Sequence, residues 1–217
     1  MNWQHHAKRA ITGIVLTIFG LTVFFLCPPV CTTIFLVAVL FWILLNEWPP
    51  LMPYPAWARV SGTLFYPVAG FVFMALLNHS PYRNLLFATI FLPCLHDTAA
   101  YLAGSLFGRI GLSRFSPNKT WEGVAGGFAA IFVVIHSFAY NATWGYSFLI
   151  AAAVCALSTV GDLFESWLKR RAQIKDAGQS LPGLGGWLDR FDSIIFTAPF
   201  FWLLRAQIAW YFFDQII

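Results

Sequence analysis

The sequence predicts an all-α, polytopic integral membrane bundle of about seven transmembrane helices with a cytoplasmic N-terminus. Three observations carry that expectation. The 217 residues are 59% hydrophobic and only 10% charged, where a soluble domain carries roughly 25% charged residues. Mean hydropathy is +0.70. Apolar runs recur at span length, about 20 residues at a rise of 1.5 Å each.

Seven runs qualify in order: roughly 10–27, 30–46, 62–78, 84–104, 123–141, 146–164 and 193–213. The first follows the basic start MNWQHHAKRA and is long enough to span; no small-x-small cleavage site follows it, so it reads as a helix rather than a signal peptide. Cys27-Pro28-Pro29 makes a tight turn into the second. Between the second and third lies EWPPLMPYPAWAR, whose prolines rule out a continuous helix and whose Trp48, Tyr54 and Trp57 suit the headgroup zone. Residues 1–92 read as N-terminal membrane helices. Residues 93–217 read as a catalytic membrane core with cytoplasmic loops 105–122 and 165–192.

Charge sets the orientation. With the N-terminus inside and the spans alternating, 11 of 13 Lys and Arg fall on the inner side; Arg83 lies outside and Arg205 within the last span. The formal charge of +4 then argues for contact with anionic lipid or phosphates, not nucleic acid. Cys27, Cys31, Cys94 and Cys155 lie in apolar runs without CxxC or metal-ligand spacing and read as packing residues.

The unusual segment is 161–192, which holds five of the nine acids and five of the 13 Lys and Arg. Asp162, Glu165, Ser166 and Lys169 are spaced i, i+3, i+4, i+7 and share a helix face. Ionisable groups at membrane depth are costly and usually functional. Arg170 and Arg171 fit cytoplasmic anchoring as well as a site. In LPGLGGWLDRFD, the glycines make a turn where backbone can approach a ligand, and Asp189 and Asp192 follow at i, i+3. These two converging with Asp162 would repel unless a cation sits between them, and hard oxygen ligands suit Mg²⁺. Helix N-terminal acids favoured by the macrodipole are the simpler alternative. Upstream, Asp97 in HDTAAYLAGSLFGR faces the interior as a metal or hydroxyl partner or as a counter-ion, with His96 facing elsewhere. In FSPNKTWEGVAGGF, Ser116, Pro117, Asn118 and Thr120 are turn and cap residues, and Lys119 at a helix N-terminus suits phosphate. Lys119-Thr120 matches the end of a P-loop, but the glycines of GxxxxGK are absent. Lysines and several carboxylates on one face of a membrane suit phosphoryl or nucleotidyl transfer on a lipid.

Residues 166–192, SWLKRRAQIKDAGQSLPGLGGWLDRFD, resemble the signature of the phosphatidate cytidylyltransferase (CDP-diacylglycerol synthase) family. Ser166, Lys169, Arg170, Lys175, Asp176, Pro182, Gly183, Gly185, Gly186, Asp189, Arg190 and Asp192 match it in order and spacing. HDTAAYLAGSLFGR and SPNKTWEG also resemble family segments, so the likeness covers about 93–197. The resemblance implies that CTP and phosphatidate give CDP-diacylglycerol and pyrophosphate at the cytoplasmic face of a bacterial inner membrane. It implies Asp162, Ser166, Lys169, Asp189 and Asp192 as catalytic residues, with Asp162, Asp189 and Asp192 holding Mg²⁺, and it admits K⁺ beside it. Lys119, Arg170, Lys175, Asp176, Arg190 and Asp97 would bind substrate. Membrane lipid is the surrounding partner, nucleic acid is not one, and a homodimer is admitted. Two features depart from the family: Leu184 stands where its turn has His, and the chain is short for it, mostly in the N-terminal half. Two other readings stay open, a cytidylyltransferase for another lipid phosphate and a non-catalytic membrane protein that binds lipid headgroups.

Overall fold

The computed structural model describes residues 3–52, 55–114, 116 and 118–214. Tyr54 and Pro117, singled out above, lie outside them. Among the described residues, all regular structure is helical apart from two isolated bridges, Gly111 with Thr120 and Leu181 with Gly185. The chain is an all-α integral membrane protein.

The helices are α1 (Trp3–Leu26), α2 (Pro29–Trp42), α3 (Trp48–Leu51), α4 (Ala56–Thr63), α5 (Ala69–Asn78), α6 (Arg83–Phe107), α7 (Trp121–Phe138), α8 (Trp144–Arg171), α9 (Leu188–Leu203) and α10 (Arg205–Phe213). A π turn at Ile43–Glu47 joins α2 to α3, and another at Leu64–Val68 joins α4 to α5. Five continuous runs are long and apolar enough to cross a membrane: Pro29–Leu51, Ala56–Asn78, Arg83–Phe107, Trp121–Phe138 and Trp144–Arg171. The bent pair α9–α10 makes up to six.

Two of the seven expected spans therefore differ. The apolar part of α1, Ala10–Leu26, is shorter than the five runs. The last span is not one helix, because α9 and α10 meet at 87°. Arg205 explains the break: its Nη1 donates to Trp202 O at 2.9 Å, and its guanidinium lies 4.2 Å from the Trp202 ring centre. An arginine in an apolar run thus satisfies a carbonyl at the end of α9 while its charge rests on an aromatic face.

Both π turns accompany proline. Pro67 lies inside the second, and Pro49 stands two residues after the first. Proline has no N–H to donate and its ring crowds the carbonyl four residues back, so a wider turn relieves the clash. The helix runs on through Pro49 and Pro50 to Leu51, and the next helix begins at Ala56, so the segment is not one continuous helix.

Small residues bring the helices that carry the site close together. α6 and α7 share the most extensive contact in the bundle. A Cβ at Gly127 would come 2.7 Å from His96 Cδ2, one at Gly123 2.7 Å from Ala100 O, and one at Gly126 would collide with Ala103. Small side chains at such seams let backbones approach. At the second junction, a Cβ at Gly70 of α5 would lie 2.7–2.9 Å from Ile195 of α9.

The helices put the loops 108–120 and 172–187 at one end. Thr12 of α1 reaches that end, donating to Pro182 O at 3.0 Å. At the opposite end Arg83 Nη2 donates to Phe24 O at 2.5 Å, Asn78 to Pro29 O at 2.6 Å, and Asn141 N to Tyr211 O at 3.1 Å. The bent pair therefore still traverses the bundle.

Gly70→Val is expected to force α5 from α9 and to destabilise the bundle by about 1–3 kcal/mol, read as a lower melting temperature of the purified protein in detergent. An unchanged melt would show that the α5–α9 junction can widen without loss.

Candidate active site

α8 runs unbroken through the charged stripe to Arg171, so Ser158, Asp162, Glu165 and Lys169 fall on its inner side. Asp162 and Glu165 are buried. Glu165, not Ser166, points furthest in; Ser166 is only half-buried. α9 supplies Asp189 in its first turn and Asp192 one turn on, the latter also buried.

These groups form two adjoining clusters. In the first, Lys169 Nζ lies 2.8 Å from Glu165 Oε2 and 2.8 Å from Asp189 Oδ1, joining α8 to α9. Asp189 also accepts from Gly186 N at 2.7 Å and from Ala177 N at 3.4 Å. The glycine turn makes this possible. Gly183 and Gly185 have φ of 78° and 87°, the left-handed region closed to most side chains. The turn closes with Leu181 N donating to Gly185 O at 2.8 Å.

The second cluster centres on the buried Ser193. Its Oγ donates to Asp162 Oδ1 at 2.6 Å and lies 3.2 Å from Asp97 Oδ2 and 3.4 Å from Ser158 O. Its N–H donates to Asp192 Oδ1 at 2.8 Å. Lys119 Nζ is ion-paired with Asp162 Oδ2. Asp97 is half-exposed and pairs with His96 Nδ1 at 3.1 Å, so the two neighbours in sequence also meet in space.

Lys119 reaches the bundle because its loop is braced. Leu112 N donates to Lys119 O at 2.7 Å, and Trp121 N to Ile110 O at 3.0 Å. Thr120 caps α7, accepting from Gly123 N at 3.1 Å, as its sequence position predicts. Burial pulls the Lys119 ammonium below the usual lysine range, against Asp97, Asp192 and Glu165, which hold it up.

The three carboxylates expected to share a metal do not form one triad, and among the described residues no three His, Cys, Asp or Glu are grouped as a metal site. Asp162 and Asp189 each pair instead with a lysine. The electrostatics nonetheless call for more positive charge. Five carboxylates (Asp97, Asp162, Glu165, Asp189, Asp192) face two paired lysines and His96, and the buried Glu165 Oε1 has no hydrogen-bond partner. An all-oxygen acidic set of this kind fits a hard divalent cation. Arg170, Lys175, Asp176 and Arg190 are exposed.

Residues 2–208 match the model of the cytidylyltransferase family. The chain belongs to that family. Similar members include the phosphatidate cytidylyltransferase of Pseudomonas aeruginosa, 33% identical over 196 residues, covering 84% of this chain and 72% of that protein. That of Thermotoga maritima is 46% identical over 115 residues, 48% of this chain and 42% of the relative. That of Haemophilus influenzae is 39% identical over 153 residues, 64% and 53%. The chain spans about half the length of most curated relatives it matches.

The family signature thus folds into a turn and two helix ends around paired acids and lysines. Two members of the site escaped the sequence reading as site residues, Ser193 and Glu165. Ser193 directly follows Asp192, and Glu165 was visible only as part of the polar stripe. Glu47, far upstream, was read as part of a headgroup loop, yet its carboxylate accepts from Leu188 N at 2.8 Å.

Ser193→Ala would leave Asp162 buried with one fewer donor, an expected loss of about 1–3 kcal/mol, measured by thermal melting in detergent. Wild-type stability in that variant would mean that Asp162 does not depend on the hydroxyl.

Proposed function

We propose that the chain joins CTP to phosphatidate, giving CDP-diacylglycerol and pyrophosphate for phospholipid synthesis. Its site would face the cytoplasm from a bacterial inner membrane. The observation that carries this reading is the part-buried pairing of Lys119 with Asp162 and of Lys169 with Asp189 and Glu165, with Arg170, Lys175 and Arg190 exposed in the same signature segment. The cytosolic orientation rests on the Lys and Arg asymmetry of the loops.

The chemistry follows from charge. A phosphate oxygen of phosphatidate attacks the α-phosphorus of CTP. The new P–O bond forms as the α–β bridge breaks, and its electron pair leaves on pyrophosphate. A phosphate monoester has its second pKa near about 6, so the attacking oxygen is already ionised and needs no strong base. What the site must supply is position and neutralisation of developing charge. Lys119 and Lys169 are the cations within reach, and each would exchange a carboxylate for a phosphate oxygen. Asp162, Asp189 and Asp192 would hold Mg²⁺, with K⁺ admitted beside it; bound there, the metal supplies charge neutralisation between the phosphates. Ser166 would act from α8, the exposed Arg170, Lys175, Asp176 and Arg190 from outside the two clusters' core, and Asp97 from the α6 side.

Purified protein in mixed micelles with labelled CTP, phosphatidate and Mg²⁺ should form a CDP-lipid and release pyrophosphate, and a chelator should stop both. Bound CTP without product from phosphatidate would instead favour another lipid phosphate, with Leu184 in the glycine turn the leading suspect. Asp189→Asn should abolish turnover at near wild-type folded yield; equal activity would remove Asp189 from the site. Leu184→His should not lower activity, and a large loss would show a turn built differently from the family's.

Lys119 adds a pH signature. Its charged form grips phosphate, and its pKa is lowered. The grip is therefore complete at low pH and fades as pH rises through the lowered value, before exposed lysines titrate. Lys119→Arg keeps its charge throughout and should move the alkaline limb of kcat/KM upward. An unmoved limb would assign it to another group.

A further inference from the structure

We propose that Glu47 is a positioning residue that fixes the glycine turn and, through it, the Asp189 carboxylate. The proposal rests on the reading of Asp189 as a site residue. Glu47 ends the π turn Ile43–Glu47 and is only 1% exposed, although it lies in an apolar helix 142 positions before Asp189.

Its carboxylate is saturated by one segment of the chain. Ser180 Oγ donates to Oε1 at 2.7 Å, Trp187 N to Oε1 at 3.0 Å, and Leu188 N to Oε2 at 2.8 Å. Trp187 and Leu188 open α9, so a negative group here satisfies helix donors that have no intrahelical partner and faces the positive end of the dipole. Trp42, one turn earlier on α2, donates from Nε1 to Ser180 Oγ at 2.7 Å and orients that hydroxyl.

Two glycines cradle the same carboxylate. A Cβ at Gly178 would lie 2.8 Å from Oε1, and one at Gly186 2.7 Å from Oε2. Gly186 is the link to the site: one side packs on Glu47, and its N–H donates to Asp189 Oδ2 at 2.7 Å. The turn is therefore held between two carboxylates, one from the N-terminal helices and one from α9. Glu47 does not belong to the Lys169 or Ser193 cluster, and its effect on the reaction would pass through Gly186 and the start of α9.

Limited trypsin digestion of the purified full chain in detergent tests this, together with steady-state kinetics. Lys175 is exposed in the loop that Glu47 holds, and Arg114 is exposed in the other loop at the same end, so Arg114 is the internal control. In Glu47→Gln one oxygen becomes an NH₂ group facing a backbone N–H. Cleavage after Lys175 should rise about tenfold, cleavage after Arg114 should not change, and kcat should fall about tenfold or more with KM for CTP within about twofold. Cleavage that rises equally at both sites would mean general loosening and would overturn the proposal, as would unchanged cleavage at Lys175 or unchanged kcat. If Glu47→Gln fails to insert, Gly178→Ala presses on the same carboxylate without removing it. It should give the same selective pattern, and wild-type behaviour would overturn the proposal. Should the wild-type chain not act on phosphatidate, the digestion still reports whether Glu47 holds the turn, so the two failures are separable.

Discussion

Lys169, with its ammonium 2.8 Å from both Glu165 and Asp189, is the contact on which the rest of the site depends. Carboxylates taken out of water inside an apolar bundle each carry a penalty of several kcal/mol unless paired and hydrogen-bonded. Glu165 sits at the bottom of the cluster, and without Lys169 it would be an uncompensated charge. The same constraint explains why Lys119 is brought in from a braced loop to Asp162, and why Ser193 places a hydroxyl between Asp162 and Asp97. Asp162, Asp189 and Asp97 are each matched by a cation or donor from a different element, while Glu165 and Asp192 find theirs on their own helix. The electrostatics thus bind α6, α8, α9 and two loops into one end of the molecule.

Such convergence needs backbones that come close. The seam between α6 and α7 is lined by Ala99, Ala100, Ala103 and Gly104 on one side and Gly123, Gly126 and Gly127 on the other. It brings Asp97 and the base of the 108–120 loop beside α8. Between membrane helices there is little hydrophobic driving force, so close packing and interhelical hydrogen bonds must hold the arrangement. The polar site and the glycine seams are therefore complementary: one needs proximity and the other provides it.

Much of this was legible in the sequence. Apolar runs at span length located the main helices, and the i, i+3, i+4, i+7 spacing from Asp162 placed that stripe on one face. The glycine turn and the Thr120 cap followed from local backbone chemistry. What was not legible depends on long-range geometry. Which lysine pairs with which acid is set by how the 108–120 loop folds back, and spacing within 115–128 carries no record of Asp162. Ser193 looked like an ordinary polar residue in an apolar helix until α6 and α8 were placed around it. The 87° bend arises because Arg205 turns back onto Trp202, a local capping event that hydropathy averages away. Glu47 was hidden for the same reason, since the donors to its carboxylate, Ser180, Trp187 and Leu188, lie more than 130 positions on.

The π turn before Glu47 is a phase shift. Along α2 and into the π turn the buried positions run Thr32, Leu36, Val39 and Ile43, a regular helical stripe. Continued at 3.6 residues per turn, the next inward position would fall between Asn46 and Glu47. The wider turn at Ile43–Glu47 moves that position toward the C-terminus, so Asn46 stays exposed and Glu47 enters the interior. The prolines that follow are thus more than helix breakers at a membrane surface. At a position where Asn46 and Glu47 would otherwise share the edge of the stripe, one loose turn leaves the acid inside and the amide outside. A bundle can in this way gain an inward charge by changing where a helix is wound, without changing which residues line its apolar face.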